Sequence, residues 1–125
     1  MKMWVCKSAT FDAAHYLPKY DGPCKRMHGH TYKVEIGVYG VVDLVTGMVI
    51  DLALLGNFLK ENVVKVYDHR LLNDMMNKPT VEYLVRDTLI DLEATLNKGN
   101  KWRFRVRIWE TPDSYAEAYN DYQAS

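Results

Sequence analysis

From His28 to Val42 the chain keeps a period of two, with His28, His30, Tyr32, Val34, Ile36 and Val38 on one side and Gly29, Thr31, Lys33, Glu35 and Gly37 on the other. An extended strand places every second side chain on one face, so this run predicts a sheet strand with one apolar face that needs a cover. Two histidines head the face that should be buried. The same period recurs from Lys2 to His15, where Phe11, Ala13 and His15 share a side. It returns from Trp102 to Trp109, with Trp102, Phe104, Val106 and Ile108 opposite Arg103, Arg105 and Arg107.

Between these strands the period changes to that of helices. Asp51 is placed to cap a helix running to about Tyr67, with Leu52, Leu55, Leu59, Val63 and Val66 as its apolar stripe. Pro79-Thr80 opens a second, with Glu82 in its first turn and Val81, Leu84, Val85, Leu89, Leu92 and Leu96 facing inward; Asn97-Lys98-Gly99-Asn100 closes it. Leu17 to Met27 has loop chemistry, Asp43 to Gly47 a turn, Met48-Val49-Ile50 a short extended return, and Ser114 to about Tyr122 a last strand. The expected fold class is therefore α+β, a four-stranded antiparallel sheet with two helices packed on one face in ββααββ order. At 125 residues, 1–125 is expected to form a single domain.

Lys plus Arg balances Asp plus Glu at 16 each, so no general electrostatic pull toward nucleic acid or an anionic membrane is expected. In Lys101–Arg107 the rings and arginines of one strand point to opposite faces, which argues against a shared stacking groove for nucleic acid and for a solvated or oligomer-facing basic stripe. The opening residues lack a long apolar run, so a cytoplasmic protein with reduced Cys6 and Cys24 is the expectation. Cys6, within the first strand, is expected to be structural.

The chemistry concentrates in His15 and His28-Gly29-His30. Residues two apart on a strand share a face, and a third histidine from the neighbouring strand would make a three-nitrogen metal site with one open position, as in catalytic zinc centres. Copper, iron or nickel would suit the same donors. Cys24, four residues before His28, has Lys25 and Arg26 beside it, which favour a thiolate able to act as base or nucleophile. Asp68-His69 follows the first helix, and a carboxylate beside a histidine can set its tautomer. Continuing the last register puts Glu110 on the apolar side, where a ligand with two adjacent N–H groups would satisfy it.

Phe11-Asp12-Ala13-Ala14-His15 and Cys24-Lys25-Arg26-Met27-His28-Gly29-His30 together resemble the signature of the 6-pyruvoyl-tetrahydropterin synthase family. Ile50-Asp51, Asp68-His69 with Leu72-Asn73, Pro79-Thr80-Val81-Glu82 and Glu110-Thr111 extend the resemblance along nearly the whole chain. It implies Zn2+ on His15, His28 and His30, one per subunit; proton transfer by Cys24, Asp68 and His69; and pterin binding by Glu110 and Thr111. The three residues between Cys24 and His28 resemble the 6-carboxy-5,6,7,8-tetrahydropterin synthases of queuosine and 7-deazapurine biosynthesis. Those are lyases that convert 7,8-dihydroneopterin triphosphate to 6-carboxy-5,6,7,8-tetrahydropterin, acetaldehyde and triphosphate. The resemblance further implies the tunnelling fold (T-fold), with trimers closing their sheets into a barrel, two trimers stacking as a hexamer, and active sites between subunits. A 6-pyruvoyl-tetrahydropterin synthase, which eliminates triphosphate without carbon–carbon cleavage, and a non-catalytic metal-stabilised pterin-binding protein are the competing readings.

Overall fold

A computed structural model describes residues 1–97, 99 and 101–120. Strand β1 (Lys2–His15) and strand β2 (His28–Val41) pair antiparallel over their full length, with Phe11 opposite Tyr32, Ala13 opposite His30 and His15 opposite His28. Strand β4 (Arg103–Thr111) joins β2 antiparallel, and strand β5 (Ser114–Tyr119) joins β4. The sequence-based β5 extends to Tyr122, but residues 121 and 122 lie outside the described residues, as do Lys98 and Asn100 of the expected helix stop.

The fold class is α+β as expected, but the four-stranded antiparallel sheet needs correcting. The sheet has five strands in the order β3-β1-β2-β4-β5, and the added strand β3 (Arg70–Leu71) runs parallel to Ala13–Ala14. Two residues are too few to show a period. What forms β3 is a clamp: Asp12 N–H donates to Asp68 Oδ1 at 2.9 Å, and His69 N–H donates to Asp12 O at 2.6 Å. His69 sits at φ +60, a left-handed conformation uncommon outside glycine, and this turns the chain from helix to strand.

Helices α1 (Leu52–Leu59), α2 (Lys65–Tyr67) and α3 (Val81–Leu96) lie on one face of the sheet, with α1 against β1 and α3 against β4 and β5. Asp51 caps α1 by accepting from Ala53 N–H at 2.9 Å. A π-helical turn, Lys60–Val64, joins α1 to α2 and shifts the phase of the buried stripe. Leu55, Leu59 and Val63 are buried as expected, but Leu52 and Val66 are exposed, and Phe58 and Tyr67 take their places. Thr80 caps α3 through Tyr83 N–H at 3.3 Å, and Leu84, Val85, Thr88 and Leu92 are buried beneath it. Met48-Val49-Ile50 is a bend rather than a strand, tied back by one bond from Asp43 N–H to Met48 O.

The covered sheet face carries Phe11, Tyr32, Val34, Ile36, Val38, Phe104, Val106 and Ile108, all 2% exposed or less. Full burial of such side chains stabilises by about 1.5–3 kcal/mol each. Phe11 stacks on Tyr32 with ring centroids 5.0 Å apart, continuing the core to the end of the sheet where the histidines lie. On the opposite face the basic stripe is neutralised: Arg105 pairs with Glu35, and Arg107 with Glu117 at 2.8 Å. The arginines also have aromatic neighbours from outside Lys101–Arg107: Arg105 lies over Trp4, Arg103 over Tyr119 and Arg107 over Trp109. Cys6 is exposed on this same face.

Candidate metal centre

The β1–β2 register brings His15, His28 and His30 to one corner of the covered face. Their rings form a cluster with centroids 4.6 Å (His15–His28), 5.1 Å (His15–His30) and 4.8 Å (His28–His30) apart, and one ring nitrogen from each lies within 4.8 Å of the others. The triad read from the sequence is thus assembled. His15 is 1% exposed, and Glu110 joins the cluster through Oε1, 3.4 Å from His15 Nε2 and 3.5 Å from His30 Nε2.

Backbone carbonyls orient two of the rings. His15 Nδ1 donates to Pro79 O at 2.7 Å and His28 Nδ1 to Arg26 O at 2.7 Å, which assigns a proton to Nδ1 of each ring and turns Nε2 toward the cluster. Those two Nε2 atoms face each other at 3.0 Å. Two lone pairs at that distance repel unless a cation or proton lies between them. Among the described residues His30 Nε2 is buried with no hydrogen-bond partner, and burial pushes the His30 pKa below its ordinary value, with Glu110 opposing and His15 and His28 reinforcing the shift. Three convergent imidazoles, among them a buried nitrogen of His30 that lacks a hydrogen-bond partner among the described residues, are a donor set that fits a divalent cation. Zinc–nitrogen bonds of about 2.0–2.1 Å would set tetrahedral ligand atoms about 3.3 Å apart, near the 3.0 Å between His15 Nε2 and His28 Nε2.

Two clefts meet at Gly29–Thr31. One is lined by Asp12, His30, His69 and Arg70, the other by His30, Lys33, Trp109, Glu110 and Thr111. Asp68 Oδ2 accepts from His69 Nδ1 at 2.9 Å, an interaction that raises the His69 pKa. Asp68 is itself held below the usual carboxylate range, first by the Asp12 N–H and then by His69. Glu110 stands at a register shift between Trp109 and Thr111, with its carboxylate toward His15 and His30. Thr111 Oγ1 donates to Asp113 Oδ1 at 2.9 Å and closes the β4–β5 turn. Cys24 lies in a short 3-10 turn, Pro23–Lys25, fixed by Leu17 N–H donating to Cys24 O; among the described residues it shares no hydrogen bond with the triad.

Sequence reasoning missed the residues that hold the ligands in place. Pro79 anchors His15 through a carbonyl, which no side-chain pattern reveals. Asn73 clamps the backbone just after His15, its Oδ1 accepting from Tyr16 N–H at 3.0 Å and its Nδ2 donating to Tyr16 O at 2.9 Å. The Tyr32 hydroxyl, 3.4 Å from His15 Nδ1, was visible only as one more apolar-face residue.

Residues 4–121 match the family model described as 6-pyruvoyl tetrahydropterin synthase. The chain belongs to this family. Within the 6-pyruvoyl tetrahydropterin synthase family it is similar to the 6-carboxy-5,6,7,8-tetrahydropterin synthase of Synechocystis sp., 35% identical across 94% of this chain and 95% of that protein. It is also similar to a dihydroneopterin monophosphate aldolase of Pyrococcus furiosus, 38% identical across 88% of this chain and 91% of the relative. Its backbone resembles that of Caenorhabditis elegans 6-pyruvoyl tetrahydropterin synthase with a TM-score of 0.84, 25% identity and 97% of each chain covered. The T-fold expected from the motifs is therefore the fold of this chain.

Proposed function

We propose that this protein is a zinc-dependent carbon–carbon lyase that converts 7,8-dihydroneopterin triphosphate to 6-carboxy-5,6,7,8-tetrahydropterin, acetaldehyde and triphosphate. The observation that carries the proposal is the convergence of three imidazoles beside clefts that hold His69 and Glu110. The similarity to proteins named 6-carboxy-5,6,7,8-tetrahydropterin synthase supports the choice of reaction.

His15, His28 and His30 would hold the cation. Bound there, it would polarise the side-chain oxygens of the substrate and stabilise enolate-like charge. The chain's own residues do the rest. Glu110 accepts two parallel hydrogen bonds from the guanidine-like edge of the pterin, with Thr111 beside it, and this holds the ring in register. Cys24 and His69 move protons on the three-carbon side chain, and Asp68 fixes the His69 tautomer and favours its protonated form. Cleavage between the first and second side-chain carbons leaves the first as the carboxyl group, whose second oxygen comes from water. The other two carbons depart as acetaldehyde once triphosphate has been eliminated.

Among the described residues Cys24 is not bonded to the triad, and two sheet edges lack a full partner: β5, and β1 outside its short pairing with β3. Both features support a homo-oligomer in which a second copy completes the site, and we propose the hexamer of two stacked trimers, working in the cytoplasm. Among the described residues no helix is long and apolar enough to cross a membrane.

Incubating zinc-loaded protein with 7,8-dihydroneopterin triphosphate tests the reading. Acetaldehyde release supports it, and its absence refutes it. Product mass separates the lyase from a 6-pyruvoyl-tetrahydropterin synthase, which keeps all three side-chain carbons. The similarity to the Pyrococcus aldolase favours a second reading, retro-aldol cleavage of a dihydroneopterin monophosphate. That reaction would yield a phosphorylated two-carbon aldehyde in place of acetaldehyde.

A further inference from the structure

We infer that Tyr20 and Gly22 are positioning residues for the Cys24 thiol: the ring of Tyr20, seated on the Gly22 backbone, sets the shape of the loop that carries Cys24. The inference deepens the lyase reading and rests on it for the role of Cys24 in proton transfer.

The loop between β1 and β2 receives little help from the core, since no residue from Leu17 to Met27 is buried. Its outer side faces a groove of about 760 Å³, with Leu17, Pro18 and Tyr20 on one wall and Lys78, Thr80 and Tyr83 on the other, so the start of α3 does not clamp it. Its own backbone closes it. Leu17 N–H donates to Cys24 O at 2.8 Å and Tyr20 N–H to Leu17 O at 3.0 Å; Lys25 N–H donates to Gly22 O at 3.1 Å and Arg26 N–H to Pro23 O at 3.2 Å. One turn thus spans Leu17–Tyr20 and a second begins at Gly22. A surface loop of this kind, with its ends tied together, keeps its shape through its own side chains.

A contact between Tyr20 and Gly22 joins the two turns. A Cβ on Gly22 would stand 2.6 Å from Tyr20 Cε1, 3.2 Å from Cζ and 3.3 Å from the hydroxyl oxygen, so no side chain fits there unless the ring or the turn moves. Gly22 is extended, with φ 165 and ψ −171, so it is the ring and not the backbone that demands glycine. Tyr20 is half exposed and, among the described residues, its hydroxyl has no hydrogen-bond partner; its use is the face it lays on Gly22. Pro23 follows, and its ring fixes φ immediately before Cys24, which passes a displacement at Gly22 on to the thiol. Proton transfer needs the thiol within about 2.6–3.2 Å of its target.

The test uses the full chain as wild type, Tyr20→Ala, Tyr20→Phe, Gly22→Ala and the double variant Tyr20→Ala/Gly22→Ala. Two quantities are measured: kcat and KM for acetaldehyde release, and the rate at which iodoacetamide alkylates Cys24, resolved by peptide mass mapping with the exposed Cys6 as internal reference. Tyr20→Ala and Gly22→Ala should each lower kcat by about 10–100-fold with KM near the wild-type value, the scale of a misplacement of about 1 Å. Alkylation of Cys24 relative to Cys6 should change by about fivefold or more as the loop loses its fixed shape. Tyr20→Phe keeps the ring and should behave as wild type in both measurements. The double variant should match Tyr20→Ala, because with the ring gone the added methyl group strikes nothing. Wild-type kcat in Tyr20→Ala, a Tyr20→Phe as impaired as Tyr20→Ala, or losses that add in the double variant would each overturn the inference and leave the lyase reading standing. If the wild type releases no acetaldehyde the lyase reading falls, and alkylation alone decides: the expected pattern supports the Tyr20–Gly22 contact as what holds Cys24, and equal rates in all five proteins overturn it.

Discussion

Chelation should silence this protein well before it unfolds it. The imidazoles are positioned by bonds that need no metal, His15 to Pro79 O and His28 to Arg26 O, each 2.7 Å. The apolar core from Phe11 to Ile108 is likewise built from side chains that need no metal. Metal bound at about 1,000 times its Kd adds about 4.1 kcal/mol of stability by mass action. With an unfolding entropy of about 2.1 cal/mol/K per residue, 125 residues give about 0.26 kcal/mol/K, so stripping the metal should lower Tm by about 16 °C. Native secondary structure should persist at 25 °C, because several fully buried side chains at about 1.5–3 kcal/mol each outweigh that loss. The assay is a chelator titration followed in parallel by acetaldehyde release and far-UV circular dichroism. Activity should vanish while the dichroism is unchanged. If both fall together along one curve, the centre is a structural staple and the reasoning from a preformed site fails.

Three substitutions probe the surrounding residues. Cys24→Ala should reduce turnover by at least about 100-fold, the usual scale for general acid–base groups, with zinc content unchanged; near-wild-type rates would remove Cys24 from the mechanism. Asp68 raises the His69 pKa, so its contribution to stability is complete below the ordinary value of about 6.5 and fades as pH rises through the raised one. Asp68→Asn should bring the His69 titration, followed by NMR of its ring protons, down toward that ordinary value; an unmoved midpoint would mean the 2.9 Å contact does not persist in solution. Thr80→Ala removes the α3 cap, costing about 1 kcal/mol and about 4 °C in Tm, and because Pro79 precedes it, zinc affinity should fall as well. A thermal shift with unaltered zinc affinity would uncouple the helix start from the metal ligand.

Much of this was legible because it depends on period. The alternation through β1 and β2 placed His15, His28 and His30 on the covered face, and continuing the β4 register placed Glu110 on the apolar side of its strand. Asp51 announced its helix by capping chemistry, and Pro79-Thr80 marked the start of the next. What escaped was fixed by contacts distant in the chain or by backbone atoms. Strand β3 exists because Asp68 and His69 bind the Asp12 backbone, a pairing 56 residues apart for Asp12 and Asp68. The π-turn at Lys60–Val64 exchanged Leu52 and Val66 for Phe58 and Tyr67 without any signature in composition. The Pro79 carbonyl, which anchors the most buried histidine of the three, carries no side-chain code at all.

Metal analysis of the purified protein and its histidine variants tests the centre most directly. One equivalent of zinc per chain is predicted for the wild type, falling close to zero in both His28→Ala and His30→Ala while each variant remains folded. A full equivalent in either variant, or a wild type that takes up no zinc when supplied with it, would contradict the account.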